Sequence, residues 1–384
     1  MSAEGEAREQ GVVATTPIPV DLATIESVLT SLWRNEEAAP GSSLGVLTRA
    51  CMSNLLIVCR GRDQAELVAR EVDEIVSRQP SRVILLVFDV LTEGRPAALE
   101  AAVSAHCHRS GGGSRQVCSE MVRICAGGDD VRKLPSAARS LIIGDLPTSL
   151  WWDTPTPPPL AGDLFHELMP MADQVVYSSF QWPDPIAGTL ETADWVNGLQ
   201  PGEPVVMDLA WRGLRPWRQL ISQSLDPSVL PGAIEGLSEV EIEHGSHGLP
   251  QAWLLAGWIA SALGWVPGER TVVKGREISW RFHGAAGDVG LVVRRTEGVE
   301  PPVCRVKTAW RADGRKAALT FAPAGPVHLA ATAEGFDAET KMLMSPRATR
   351  ASLVAAELQQ LEPDEVFRGA LLVARRLAEN LSLT

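Results

Sequence analysis

The feature that most constrains the fold is a strand, helix, strand pattern in the N-terminal half. Residues 54–59 and 81–88 are short apolar runs with the length and composition of buried strands. Residues 63–78, between them, are predicted to form a helix. A strand followed by a crossover helix and a second strand favours a parallel sheet. This half is therefore predicted to be an α/β domain with a mostly parallel sheet and Rossmann-like layering.

Further segments extend this pattern to about residue 226. An amphipathic helix is predicted at 21–33, with Asp21 as its N-cap. Strands at 99–108 and 116–124 are predicted to form an antiparallel flank. The other predicted helices are 129–138, 161–169 and 211–225, and the other predicted strands are 140–143, 174–178 and 205–209.

Beyond residue 226 the pattern changes. Asp226-Pro227 and Pro231-Gly232 form the best candidate linker. It is followed by a long helix at 250–263, by strand-like segments at 271–282, 289–294, 303–310, 317–321 and 327–332, and by helices at 349–361 and 364–381. Successive strands with turn-like spacers predict an α+β domain with an antiparallel sheet. The predicted organisation is a flexible arm at 1–20, an α/β domain at 21–226 and an α+β domain at 233–384.

Composition excludes several classes of partner. The 384 residues have a net charge of −12, which disfavours nucleic acid and anionic membrane surfaces. Residues 1–20 lack the apolar core of a secretory signal. The uncharged stretch 252–266 would span only about 22 Å as a helix, short of a hydrocarbon core of about 30 Å. Six cysteines without a CxxC pair fit a reducing compartment, so a cytoplasmic location is predicted.

The short motifs of enzyme chemistry are missing from the sequence. Residues 111–114 lack the spaced glycines of a dinucleotide loop. His166-Glu167 begins like the zinc motif HExxH, but Pro170 occupies the position of the second histidine. His106 and His108 would share one strand face without a recognisable second pair of metal ligands. The sequence therefore predicts no catalytic residue, no metal site and no cofactor.

Cys118 and Cys125 are a candidate redox pair. Thiol switching requires their Cα atoms to lie within about 7 Å and one thiol to have a lowered pKa. On one straight strand they would lie about 23 Å apart, so pairing needs a bend or another partner. A structural role in the core is the alternative.

Two tryptophan-rich segments are candidates for partner binding. Residues 145–153 (DLPTSLWWD) follow the predicted strand 140–143, where loops project from an α/β sheet. Residues 211–218 (WRGLRPWR) combine two tryptophans with three arginines, a composition enriched at protein interfaces and anion sites. Tryptophans packed in the core beside solvated arginines are the alternative. The predicted partner-binding residues are Trp151, Trp152, Trp211, Arg212, Trp217 and Arg218.

Five segments in order resemble the glucose-6-phosphate dehydrogenase assembly protein (OpcA) family. They are NLLIV at 54–58, PSRVI at 80–84, DLP with LWW at 145–152, DLAW with WR at 208–218, and LAGW at 255–258. The resemblance implies a non-enzymatic partner that promotes the active oligomer of glucose-6-phosphate dehydrogenase. It also implies thioredoxin as a second possible partner, because cyanobacterial members are linked to redox control. The chain departs from the family pattern at Gly213, in place of arginine, and at Cys118, which stands alone where two cysteines are common.

Two other functions are compatible with these residues. One is an α/β enzyme acting on a phosphorylated sugar or nucleotide, with residues 212–218 holding phosphate and His244 or His247 as acid or base. The other is a sensor whose α/β half binds a metabolite. The enzyme hypothesis accounts for the arginines but lacks a positioned nucleophile or metal.

Overall fold

The computed structural model describes residues 13–14, 16–37, 47–89, 99–109, 116–180, 182–298, 301–312 and 315–382. The α-helices are α1 (Ile25–Glu37), α2 (Arg62–Arg78), α3 (Leu134–Leu141), α4 (Asp163–Leu168), α5 (Pro185–Gly198), α6 (Leu209–Gly213), α7 (Arg215–Leu225), α8 (Leu249–Ala262), α9 (Arg350–Glu357) and α10 (Glu365–Ser382). The strands of the first sheet are β1 (Val13–Ala14), β2 (Ile18–Val20), β3 (Leu47–Arg49), β4 (Ser53–Arg60), β5 (Ser81–Asp89), β6 (Leu99–Arg109), β7 (Gln116–Gly127), β8 (Thr148–Asp153), β9 (Gln174–Tyr177) and β10 (Val205–Asp208). Those of the second sheet are β11 (Leu237–His244), β12 (Val266–Lys274), β13 (Glu277–Gly284), β14 (Gly287–Arg295), β15 (Val303–Ala312), β16 (Arg315–Pro323), β17 (His328–Glu334) and β18 (Lys341–Met344).

The first sheet is the mostly parallel sheet predicted for the N-terminal half. Strands β7, β5, β4, β8, β9 and β10 lie side by side and run parallel. β6 pairs antiparallel with β7 and forms the predicted flank. Helices cover both faces, so strands such as β4 and β5 have no exposed face, which explains their continuous apolar sequences. The prediction of a Rossmann-like α/β half is confirmed.

The second sheet is mostly antiparallel, as predicted, and only its pair β11–β14 runs parallel. Its strand order is β12-β13-β14-β11-β15-β16-β17-β18. One face is packed under α8, whose Trp253 is buried. The other face carries cross-strand ion pairs, such as those of Arg294 with Glu241, Glu243 and Glu277. No described helix, α8 included, is long and apolar enough to cross a membrane.

The last two helices pack against the first sheet's helices. α9 lies on α2, and α10 packs between α8 and α5. Arg350 at the start of α9 forms ion pairs with Glu71 at 2.8 Å and with Asp153 at 2.6 Å. The side-chain amide of Gln174 on β9 donates to the backbone carbonyls of Glu357 and Gln360. The division into domains at 226 and 233 stays a prediction, with these contacts crossing it.

Two local predictions are wrong. Residues 140–143 are not a strand, because Leu134–Leu141 forms α3, and the next strand is Thr148–Asp153. A short apolar run at a helix end has the same composition as a short buried strand, so its pattern does not separate the two. The predicted strand 271–282 is instead parts of two strands, β12 and β13, which pair around Gly275 (φ 61°). Strand β11, at the centre of the second sheet, was not predicted.

Two further predictions fall wholly or partly outside the described residues. The connection at 111–114 lies outside them. Of the flexible arm predicted at 1–20, residues 1–12 and 15 lie outside them, whereas Val13–Ala14 and Ile18–Val20 pair with β6.

Candidate functional site

A pocket of about 600 Å³ lies beside the carboxyl end of β10. Ligands of parallel α/β sheets usually bind outside the carboxyl ends of the strands. One wall comes from the helices that follow β10, and the other from the connection between α9 and α10, with Trp258 of α8 beside them. The lining residues are Trp211, Arg212, Arg215, Arg218, Gln219, Ser222, Trp258, Glu357, Gln360 and Asp364.

The first wall is positioned by Asp208, the last residue of β10. Its buried carboxylate caps α6 by accepting from the Ala210 N–H at 2.8 Å, and it also accepts from the hydroxyl of Ser179 at 2.6 Å. Burial raises the pKa of Asp208 to about 6, although these hydrogen bonds oppose the shift. The carboxylate therefore fixes the direction in which α6 leaves the sheet.

Helix α7 presents a polar face to the pocket. Its apolar residues Trp217, Leu220 and Ile221 are buried in the core. The pocket-lining positions 215, 218, 219 and 222 have the spacing i, i+3, i+4, i+7, which places them on one side of a helix. The same periodicity that buries Trp217 thus directs Arg215 and Arg218 toward the pocket.

Arg218 is held in place by an aromatic ring. Its guanidinium carbon lies 3.5 Å from the ring centroid of Trp211, a cation–π contact. The Trp211 indole donates to the carboxylate of Asp364 at 2.8 Å, which ties this pair to the opposite wall. Burial, together with the nearby charges of Arg212 and Arg215, lowers the pKa of Arg218 to about 10. The group stays protonated at neutral pH, and its buried Nε has no hydrogen-bond partner among the described residues.

Arg212 connects the two walls. It donates to the side-chain oxygen of Gln360 at 3.1 Å and lies 3.4 Å from a carboxylate oxygen of Glu357. Glu357 is only 2% exposed, and its second oxygen has no partner among the described residues. Burial, with smaller contributions from Asp364 and Asp208, raises the pKa of Glu357 to about 7 against the attraction of the arginines.

Glu357→Gln is expected to make the chain more stable at alkaline pH. The pKa of Glu357 in the folded state lies above its ordinary value of 4.5, so between these two values the folded state binds more protons than the unfolded state. The free energy of unfolding therefore falls as the pH rises from about 4.5 to about 7. Glutamine does not ionise, so the variant's advantage should be absent below about pH 4.5 and on the order of 3 kcal/mol at about pH 8. Urea unfolding at several pH values measures it. Glu365→Gln, at a largely exposed carboxylate, is the control, and parallel curves for wild type and Glu357→Gln would contradict the assignment.

The structure separates the six predicted partner-binding residues. Trp211, Arg212 and Arg218 line the pocket. The side chain of Trp217 is 9% exposed and packs in the core behind them. Trp151 and Trp152, on β8, are 0% and 2% exposed and belong to the hydrophobic cores on opposite faces of the first sheet. Their assignment as partner-binding residues stays a prediction.

Sequence reasoning missed the second wall of the pocket. Glu357, Gln360 and Asp364 lie about 150 positions after the arginines they face, in a segment predicted only as the end of one helix and the start of the next. A cluster of polar residues between two helices carries no signal of what it will face. His244 and His247, the acid or base of the enzyme hypothesis, do not line the pocket.

The start of α2 carries polar contacts within the chain. In dinucleotide folds the turn between a parallel strand and its helix holds phosphate at the helix N-terminus. At the start of α2, Arg62 pairs with Glu100 at 2.7 Å on the surface, and Gln64 donates to Asp153 at 2.6 Å. Arg350 pairs with the same carboxylate of Asp153. The polar side chains of this turn therefore bond to carboxylates of the chain itself.

Ser104, His106 and Asp73 form a hydrogen-bonded chain in the order of a catalytic triad. His106 contacts Asp73 through Nδ1 and the Ser104 hydroxyl through Nε2 at 3.1 Å. Ser104 and His106 are 2% and 4% exposed, so a substrate carbonyl has no path to the hydroxyl. The described residues contain no group of three potential metal ligands, at His106 or elsewhere. This cluster is a buried network that joins β6 to α2.

The cysteine predicted as redox-active has a different neighbour from the one expected. Cys118 faces Cys107 across the antiparallel pair β6–β7, and the two form a disulfide, which the expectation of a reducing compartment did not include. Cys125 lies further along the same strand as Cys118, and burial raises the pKa of its thiol. A redox role for Cys118 and Cys125 stays a prediction.

Two family models match the sequence. The model described as glucose-6-phosphate dehydrogenase subunit N-terminal domain matches residues 72–194, and the corresponding C-terminal domain matches residues 204–371. Together they take in about three quarters of the chain. Curated relatives named OpcA are 30% identical over 231 residues in Nostoc punctiforme and 29% identical over 228 residues in Synechococcus elongatus. These matches cover 60% and 58% of this chain, which spans about half the length of those relatives, 48% and 46%.

Solved structures with similar layering have low sequence identity to the chain. Glucose-6-phosphate 1-dehydrogenase from Mycobacterium avium aligns with a TM-score of 0.48 and 12% identity, covering 87% of this chain and 92% of that one. A variant of the regulator Gal80p from Saccharomyces cerevisiae aligns with a TM-score of 0.48 and 10% identity, covering 86% and 97%. At these values the likeness carries no information about activity.

Proposed function

Because the chain belongs to the OpcA family, we propose that it is a non-catalytic factor that binds glucose-6-phosphate dehydrogenase and favours its active oligomer. It would act in the cytoplasm, at the beginning of the oxidative pentose phosphate pathway. The observation that carries the proposal is the match of both domain models described as parts of a glucose-6-phosphate dehydrogenase subunit.

A factor of this kind needs no catalytic residue. A protein that binds the active oligomer more tightly than the dissociated or inactive form shifts that equilibrium by mass action. The shift is limited by the difference between the two affinities. At a concentration of the factor 100 times the dissociation constant for the active form, the stabilisation is about 2.7 kcal/mol, enough to change the ratio of the two forms by about a hundredfold.

The self-paired start of α2 supports the non-catalytic assignment. Arg62, Gln64 and Arg350 bond to carboxylates of the chain itself at the place where a dinucleotide-dependent enzyme of this layering would hold phosphate. The triad-like chain through Ser104 supports it as well, since its hydroxyl is buried. In both regions the polar groups bond within the chain, which is consistent with a binding function.

The burial of the six predicted residues determines which of them could contact a partner directly. The four tryptophans are fully or largely buried within the chain, so they would support a contact surface from beneath. Arg212 and Arg218 are half-buried at the pocket, and Arg215 beside them is exposed. We propose that the dehydrogenase contacts the exposed side of α7 and the adjoining α9–α10 connection, where Leu361 is 43% exposed.

The test uses the dehydrogenase from the same organism, purified without this chain. Light scattering after gel filtration and dehydrogenase activity are measured with and without the chain, under oxidised and reduced conditions. A stable complex with a larger oligomer and higher activity is the expected result. Albumin at equal concentration controls for crowding. Arg215→Glu, at an exposed position, tests the contact surface and is expected to weaken the complex, and Arg276→Gln, on the second sheet, is its control.

The outcomes distinguish the proposed function from the proposed contact surface. No complex and no activation under either redox condition would overturn the proposal. A complex that Arg215→Glu leaves unchanged would keep the function and move the contact surface elsewhere. Thioredoxin, the second partner that the resemblance implies, stays a prediction. A complex that forms only after reduction would support a thiol-dependent step.

A further inference from the structure

We propose that the pocket between α7 and the α9–α10 connection binds a small phosphomonoester that carries several hydroxyl groups, of the sugar phosphate class. The inference rests on the pocket of this chain alone and holds whether or not the dehydrogenase binds. It accounts for an arrangement of charges that the fold itself does not require.

The wall of the pocket formed by α6 and α7 carries an excess of positive charge. Arg212, Arg215 and Arg218 all line the pocket, in a molecule whose net charge is −12. In the described part of the chain, only Arg212 of these three has a carboxylate within ion-pair distance. A guanidinium group presents a planar fork of donors that matches the oxygens of a phosphate. The wall therefore has the donors and the charge for a phosphate dianion.

The opposite wall of the pocket carries fewer charged groups than the arginine wall. Its Asp364 accepts from the Trp211 indole and from the Phe367 N–H, so both of its oxygens already have hydrogen-bond partners within the chain. Glu357 is the only other acid among the lining residues, and burial raises its pKa, which favours the neutral form. Three guanidinium groups thus face two carboxyl groups.

Arg218 holds a guanidinium group in a fixed orientation at the pocket. Its stacking on Trp211 fixes the plane of the guanidinium, so little conformational freedom is lost when a ligand binds. Its Nε is buried without an acceptor among the described residues. An unpaired N–H of this kind lowers stability, and it is too enclosed to be counted as a donor to a ligand in the pocket.

The remaining lining residues favour a polyol over a bare anion. Gln219, Ser222 and Gln360 offer neutral donors and acceptors, and Trp258 offers a half-buried ring against which the C–H face of a sugar can pack. The volume of about 600 Å³ falls in the range of small-molecule pockets, so inorganic phosphate alone would leave most of it to water. A phosphate at the arginines with hydroxyls toward Gln360 uses both walls.

The test is isothermal titration of the isolated chain with glucose 6-phosphate, inorganic phosphate, glucose, adenosine 5′-monophosphate and a short polyglutamate peptide. Glucose 6-phosphate is expected to bind most tightly, phosphate more weakly and glucose not at all. Arg218→Gln is expected to weaken the sugar phosphate by about tenfold to a hundredfold, because a charged hydrogen bond is lost. Arg276→Gln, on the second sheet, is the matched control and should bind like wild type.

Two further measurements keep the proposal falsifiable if Arg218→Gln folds poorly. Ser222→Asp adds a negative charge at an exposed lining position and is expected to abolish binding without loss of melting temperature. Above about pH 7, binding should weaken as Glu357 ionises among Arg212, Arg218, Asp208 and Asp364, and Glu357→Gln should remove that dependence.

Four results would overturn the proposal. They are no heat with any phosphate compound, tighter binding of the nucleotide, equal binding by wild type and both pocket variants, and arginine-dependent binding of the acidic peptide alone. The last would assign the pocket to an acidic segment of a protein.

Discussion

Replacing Trp151 by alanine is expected to lower the free energy of unfolding of the isolated chain by about 3–5 kcal/mol. The side chain is completely buried on β8, in the core formed by the α2 face of the first sheet. Its removal loses the transfer free energy of a large aromatic group and leaves a cavity that the rigid strands on either side cannot close. It also removes the ring beneath the guanidinium of Arg350, whose carbon lies 5.1 Å from the ring centroid.

Urea unfolding of the isolated chain measures this loss. Leu67→Ala, at a 51% exposed position on α2, is the control and should change stability by less than about 0.5 kcal/mol. The experiment also separates two roles for Trp151. A tryptophan that only anchors a partner would leave the unfolding curve unchanged on truncation and would lower complex formation alone.

Replacing Gly257 by valine is expected to cost about 3 kcal/mol or to abolish folding. Gly257 lies in α8 where α10 crosses it, and a Cβ atom at this position would overlap the backbone carbonyl of Ala370. A second glycine, Gly369 of α10, lies at the same crossing against Ser261. The obstacle is backbone in the middle of a helix, so a side-chain movement cannot relieve it.

Ala262→Val is the matched control for this substitution. It places the same β-branched residue in the same helix, at an exposed position at the helix end, so it measures the effect of valine away from the crossing. Valine is not a poorer helix former than glycine, so a large loss at position 257 comes from the crossing. Thermal unfolding of both variants should show a large loss for Gly257→Val and a small one for Ala262→Val. Equal losses would show that the α8–α10 crossing adjusts easily.

The α/β half was predictable because its central strands are buried on both faces. Strands such as β4 then carry a run of aliphatic residues at their centre, here 55–58, between segments with clear turn signals. Strand β11 was missed although its sequence carries a strand signal. Glu239, Glu241 and Glu243 alternate along it with buried residues, which is the period-two pattern of a strand with one exposed face.

The positions of the two adjacent tryptophans were also not predicted from the sequence. The sequence pattern placed Trp151 and Trp152 on a loop, because it misplaced the preceding strand at 140–143. In the structure they occupy successive positions of a strand, so they point into two different cores. A sheet that is buried on both faces can bury two adjacent tryptophans, one on each face.

Half of the pocket was predictable. The spacing of Arg212 and Arg218 around tryptophans indicates an anion or interface site without reference to any other segment. Glu357, Gln360 and Asp364 reach the site only because α9 and α10 fold back onto the first sheet. Contacts between distant segments depend on the topology of the whole chain, and local pattern does not encode them.

The return of α9 to the first sheet also sets the order in which this protein can mature on the ribosome. Ala351, Val354 and Leu358 cover the same face of the sheet as α2, whereas the last strand of that sheet ends at Asp208. At about 5–20 residues per second, translation needs roughly 10–30 s to reach α9 after that strand has been made. During this interval apolar surface around Trp151 stays uncovered in the nascent chain. This face of the first sheet can therefore close only after the chain has been made as far as Leu358.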